Sequence, residues 1–295
     1  MELGRIATAM VTPFTKAGTI DFEKTEKLIE HLIANGTNSL VVSGTTGESP
    51  TLTWEEIEEL IAFTVKQVNG RIPVIAGTGS NCTQTSIDAT KRMETYGVDG
   101  VMLVTPYYNK PDQKGMYKHF STIAKATALP ILLYNIPGRS VVNMLPETTI
   151  ALSKIDNIVA IKEASGDLEQ MAAIIEGTAD DFKVYSGDDG LTLPLLSIGG
   201  DGIVSVSSHI VGNEMQQMIA AYEEGRVNEA AKMHRKLLPV YSALFSAPNP
   251  VPLKYALNEM GIEVGGVRLP LVDLEDTEVV DEALKNFKLA QTLFV

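Results

Sequence analysis

In Asn157-Ile-Val-Ala-Ile-Lys-Glu-Ala-Ser165, four apolar residues in succession lead into a lysine. A run this short, rich in β-branched side chains and without polar alternation, predicts a strand covered on both faces, as the strands of a parallel sheet are. Similar runs recur along the chain: Ile6-Ala-Thr-Ala-Met-Val11, Ser39-Leu-Val-Val-Ser43, Pro73-Val-Ile-Ala-Gly77, Val101-Met-Leu-Val-Thr105, Pro130-Ile-Leu-Leu-Tyr-Asn135, Phe182-Lys-Val-Tyr-Ser186 and Gly202-Ile-Val-Ser-Val206. With Ile158–Lys162 they make eight, separated by segments of helical pattern.

Those segments carry start and stop signals. Asp21 is placed to cap a helix whose Phe22, Thr25, Leu28, Ile29, Leu32 and Ile33 share one face, and Asn35-Gly36 ends it. Thr53-Trp-Glu-Glu56 reads as a capping box opening a helix in which Trp54, Ile57, Leu60, Ile61, Val65 and Val68 recur at helical spacing. Trp54 is expected to pack on that helix face. A chain of 295 residues could hold two ordinary domains or one large barrel. No composition break or dinucleotide fingerprint divides it, so eight strand-helix units predict an α/β fold of the (β/α)8 TIM barrel class. From about Asn213 the pattern turns helical, broken at Ala247-Pro-Asn-Pro-Val-Pro252 and Glu263-Val-Gly-Gly266. The expected organisation is a barrel over 1–225 and a C-terminal helical extension over 226–295.

Composition narrows the function classes. With 24 basic against 37 acidic residues the net charge is −13, and no Lys/Arg run offers a surface for nucleic acid. The amino terminus lacks the basic start and apolar stretch of a signal peptide. No apolar segment approaches the roughly 20 residues of a membrane span, so a cytoplasmic protein is expected. Cys82 is the single cysteine and can form no internal disulfide. His31, His119, His209 and His234 show no metal-ligand spacing, and a metal is not expected.

The chemistry gathers at strand ends, because in a parallel barrel the C-terminal ends of all strands open on one mouth. Lys162 stands at such an end. A lysine in an apolar strand either reaches out to water or an acid, or serves as a nucleophile, since desolvation is the general means of making a lysine amine available for imine formation. Gly44-Thr-Thr-Gly47 combines small residues, which let backbone N–H groups turn inward, with two hydroxyls, as suits a carboxylate; alone it is equally an ordinary strand-to-helix turn. Tyr134 shares a strand face with Leu132 and could exchange protons with a carbinolamine, although the run does not say which face points inward. Arg139, after a Pro-Gly turn, offers a planar fork for a carboxylate or a surface ion pair.

Taken in order, Gly44-Thr-Thr-Gly-Glu48, Thr105-Pro-Tyr-Tyr-Asn109, Tyr134-Asn-Ile-Pro-Gly-Arg139, Ile161-Lys-Glu-Ala-Ser165 and Ser186-Gly-Asp-Asp189 resemble the dihydrodipicolinate synthase family. The likeness spans nearly the whole chain. It implies a barrel that condenses pyruvate with L-aspartate 4-semialdehyde, as a homodimer or homotetramer and with neither a metal nor an organic cofactor, in the diaminopimelate route to lysine. Lys162 then corresponds to the Schiff-base lysine, Tyr134 to the proton-transferring phenol, Thr45 to its hydroxyl relay and Tyr108 to a phenol supplied by a neighbouring subunit. Thr46 corresponds to the residue holding the pyruvate carboxylate, Arg139 to that holding the semialdehyde carboxylate, and Gly187 and Val204 to backbone positions lining the site. Pyruvate lyases of the same superfamily, such as N-acetylneuraminate lyase, share part of the pattern but not Arg139 or the Tyr107-Tyr108 pair, and a non-catalytic keto-acid-binding barrel would have no use for the whole set. Members inhibited by lysine carry histidines and a glutamate where this chain has Trp54, Ile57 and Thr85, while Asn81 and Tyr107 are retained. Weak or absent inhibition by lysine is therefore expected.

Overall fold

The computed structural model describes residues 2–291. Its strands are β1 (Ile6–Ala9), β2 (Ser39–Val42), β3 (Val74–Gly77), β4 (Gly100–Val104), β5 (Ile131–Asn135), β6 (Ile158–Glu163), β7 (Lys183–Ser186) and β8 (Gly202–Ser205). Each pairs in parallel with the next, and β8 closes on β1 through Ile6↔Ile203, Ala7↔Val204 and Thr8↔Ser205. The expected (β/α)8 barrel is the fold. Alternation sorts each strand into two layers. Ala7, Ala9, Val41, Ile75, Met102, Leu132, Tyr134, Ala160, Tyr185 and Val204 fill the interior. Ile6, Leu40, Val42, Val101, Leu103, Ile131, Leu133, Ile161 and Ile203 pack outward against the helices.

One strand breaks the alternation. Between β5 and β6 the register slips: Ile131 faces Ile158, but Leu132 already faces Ala160, leaving Val159 as an extra residue. Ile158 packs in the outer layer, and strict alternation would send Lys162 there with it. The irregularity instead turns Ala160 inward and brings Lys162 opposite Tyr134.

The helices follow from their local signals. In Phe22–Ala34, Asp21 accepts from the Lys24 amide at 3.1 Å, and Leu28, Ile29 and Leu32 are fully buried. Each such side chain stabilises the fold by about 1.5–3 kcal/mol. In Trp54–Val68 the capping box forms as expected, with the Glu56 amide donating to Thr53 Oγ1 at 3.2 Å and the Thr53 amide donating to Glu56 Oε2 at 3.0 Å. Trp54 departs from expectation. It is 36 % exposed rather than packed, because it sits in the first turn, where a helical side chain leans back over the residues preceding the helix.

Beyond β8 come the helices Ser208–Glu223, Val227–Ala243, Val251–Glu259 and Glu278–Gln291. Leu237, Val240, Leu253 and Leu257 join the same continuous core as the barrel's outer layer. No helix among the described residues is long and apolar enough to cross a membrane, and among them no cluster of three His, Cys, Asp or Glu side chains is arranged to hold a metal ion.

Candidate active site

The interior of the barrel holds a lysine. Lys162 is 5 % exposed, and its Nζ lies 4.3 Å from the centroid of the Tyr134 ring, itself 3 % exposed. The face of an aromatic ring attracts an ammonium. Tyr134, Lys162 and Tyr185 are successive cross-strand partners on β5, β6 and β7, so the three side chains form one inner row. Gly187 follows β7, and a Cβ built there would stand 3.1 Å from Lys162 Cε and 2.5 Å from Ala164 Cβ. Only glycine leaves room for the lysine stem. Val204, fully buried on β8, belongs to the same interior cluster as Tyr134.

Acids surround the row without pairing with it closely. Glu163 next to Lys162 points the other way, into a buried amide network: Asn135 Nδ2 donates to its carboxylate at 3.0 and 3.1 Å, Gln170 Nε2 at 3.1 Å and the Ser165 amide at 2.8 Å. Burial pushes the Glu163 carboxyl above its usual range against these hydrogen bonds. Asp188 is likewise raised by burial and by neighbouring Asp189, with Lys162 pulling the other way. Asp189 is held by Ser205 and by the amide and hydroxyl of Ser207, which ties the β7 loop to the end of β8.

A cavity of about 400 Å³ opens beside this row, lined by Ser43, Gly44, Thr45, Tyr107, Tyr134 and Arg139, and extending to Trp54, Ile57 and Thr85. Thr45, Tyr134 and Arg139 therefore share one space. Lys162, Gly187 and Val204 are not among the residues that line this cavity, and Thr46 is 2 % exposed. Tyr108 is not brought in at all. It is 88 % exposed and held at φ 73°, a left-handed conformation that costs a bulky residue on the order of 1–3 kcal/mol.

Three contributors escaped the sequence reading. Asn249 Nδ2 donates to Thr46 Oγ1 at 2.9 Å. Lys254 Nζ stands 2.6 Å from Glu48 Oε1 in an ion pair whose side chains are 2 % and 1 % exposed, and it also lies 4.1 Å from the Phe14 ring centroid. Burial draws the Lys254 ammonium down to about 8, against the pull of Glu48. The second Glu48 oxygen accepts from the Arg268 amide at 2.9 Å. Asn249 and Lys254 lie in and just after the proline-rich break, which gave no sign of what it touches. A lysine within an apolar helix was the one available hint.

Known proteins are similar to this chain over nearly its whole length. Residues 2–286 match the family model described as the Dihydrodipicolinate synthetase family. A 4-hydroxy-tetrahydrodipicolinate synthase of Bacillus velezensis is 61 % identical over 278 residues, covering 94 % of this chain and 96 % of that protein. That of Bacillus subtilis is 61 % identical over 279 residues with the same coverage. The crystal structure of a dihydrodipicolinate synthase from Bacillus anthracis, 57 % identical, superposes with a TM-score of 0.95 over 97 % of this chain and 98 % of that one. The chain, from its closed barrel to its buried Lys162, belongs to the dihydrodipicolinate synthetase family.

Proposed function

We propose that this chain catalyses the condensation of pyruvate with L-aspartate 4-semialdehyde to 4-hydroxy-tetrahydrodipicolinate, through an imine on Lys162. The observation that carries the reading is the Lys162 amine over the Tyr134 ring inside the barrel. In this mechanism the amine adds to the keto carbon of pyruvate, and loss of water leaves the imine. Loss of a methyl proton gives an enamine, whose carbon attacks the aldehyde of the second substrate. Attack of that substrate's amino group on the imine carbon closes the ring and releases Lys162.

The residue roles are those that the family resemblance implies. Tyr134 returns and removes protons, with Thr45 as its relay across the shared cavity. Thr46 holds the carboxylate of pyruvate. Arg139, exposed at the rim, holds that of the semialdehyde in a two-pronged contact. Gly187 and Val204 shape the wall around the imine. Tyr108, strained and turned to solvent, serves the site of a second copy, which makes a homodimer or homotetramer the working unit.

Borohydride reduction in the presence of pyruvate, followed by peptide mass mapping, is expected to leave one adduct, on Lys162. Adding L-aspartate 4-semialdehyde or N-acetylmannosamine alongside pyruvate in separate assays is expected to give turnover with the first alone. An adduct elsewhere, or turnover only with the sugar, overturns the reading.

A further inference from the structure

Asn249 is 8 % exposed, and 203 residues separate it from the loop it touches. Its amide spends one half and strands the other: Nδ2 donates to Thr46 Oγ1 at 2.9 Å, while Oδ1 is buried without a hydrogen-bond partner. An orphaned buried carbonyl is costly, and an apolar side chain of similar size would fill the place without it. The residue is therefore poorly explained as packing. What it supplies is an N–H at one particular hydroxyl.

That donation decides what Thr46 does. A threonine hydroxyl has one proton and two lone pairs, and Asn249, whose Nδ2 only donates, occupies a lone pair. The Thr46 proton must then point elsewhere, and among the described residues Thr46 Oγ1 donates to no acceptor. The loop is fixed at its other end by the same C-terminal element, through the buried pair of Lys254 and Glu48. Backbone holds it as well, with the Glu48 amide donating to Thr45 O at 3.1 Å.

We propose that Asn249 is a positioning residue, which by donating to Thr46 Oγ1 aims the Thr46 hydroxyl proton at the carboxylate of the keto-acid substrate. The inference rests on Thr46 as the carboxylate's partner. It commits Asn249 to act on the affinity for the first substrate and through Thr46 alone.

The test is a double-mutant cycle of Asn249→Leu and Thr46→Val in the full chain, read as the pyruvate concentration that half-saturates borohydride trapping at Lys162. Asn249→Leu is expected to raise it about five- to tenfold, the effect of one lost hydrogen bond, with the melting temperature unchanged or higher. It should leave the KM for L-aspartate 4-semialdehyde in place. In the Thr46→Val background the same substitution is expected to add less than about twofold. Equal effects in both backgrounds, or none in the first, overturn the proposal while leaving the imine mechanism standing. If the unsubstituted chain traps no pyruvate, the reading of the site falls and this one with it. Should Asn249→Leu not fold, Asn249→Ala takes its place in the same cycle and is held to the same outcomes.

Discussion

Tyr134 and Lys162 face each other across β5 and β6, with the lysine Nζ 4.3 Å from the centroid of the tyrosine ring. The ring and the hydroxyl have separable duties there. Tyr134→Phe keeps the aromatic face over the amine and removes only the proton carrier. Turnover is expected to fall by roughly 10² to 10⁴, the usual worth of a positioned acid-base group, while borohydride still traps pyruvate on Lys162, more slowly. Steady-state rates and the trapping time course check this, and an unchanged rate would remove Tyr134 from the proton path.

The Lys254–Glu48 pair predicts an asymmetry in stability. Lys254→Met leaves Glu48 as a buried, unpaired charge and is expected to cost about 3–5 kcal/mol in urea unfolding. Adding Glu48→Gln to it removes that charge, and most of the loss should return. If the double variant is no more stable than the single one, the pair is not the source of the cost.

Acid sensitivity should trace in part to His209. It is fully buried, its Nδ1 donates to Val206 O at 2.8 Å, and its Nε2 accepts from the Val11 amide at 3.2 Å, so a second ring proton would break a bond. Burial holds its folded pKa at about 4 against 6.5 unfolded. With the folded value below the unfolded one, the fold keeps this contribution above about pH 6.5 and loses about 3 kcal/mol as pH falls to 4. His209→Gln is expected to flatten the stability profile in that window relative to the unsubstituted chain. Parallel profiles would contradict it.

Tyr108 calls for a mixing experiment. Lys162→Met and Tyr108→Phe chains, each impaired alone, are expected to regain about a quarter of full activity when unfolded and refolded together. Half of random dimers then pair one of each, and one of their two sites is intact. No recovery would mean that the phenol serves its own subunit or none.

Lysine is expected to inhibit little. The cavity reaches Trp54, Ile57 and Thr85, which offer an ammonium group no carboxylate and no imidazole. At millimolar lysine, turnover should stay within about twofold of the uninhibited rate. Strong inhibition would show that other groups of the cavity suffice.

Local signals made much of this molecule legible. All eight strands lie within two residues of the apolar runs, because each run is short, β-branched and bounded by turn residues. Lys162 stood out as a charge in such a run. The inward face of Tyr134 could not be read, since it depends on which layer each strand presents. The partners of Asn249 and Lys254 were invisible for another reason. They lie some two hundred residues away, and no local pattern encodes a contact made only when the C-terminal helices fold back on the β2 loop. Trp54 was misjudged because helical periodicity says which residues share a stripe, not whether the first turn has a neighbour to cover it.

The slip at Val159 makes the chemistry of this barrel a matter of parity. Counted from Ile158, the lysine is an even number of residues along its strand and belongs by number to the outer layer; one odd residue transfers it to the inside. A strand of the same six residues, paired without that slip, would keep its apolar sequence and its place in the sheet. Its amine, however, would be carried into the layer between strands and helices, where no keto acid can reach it.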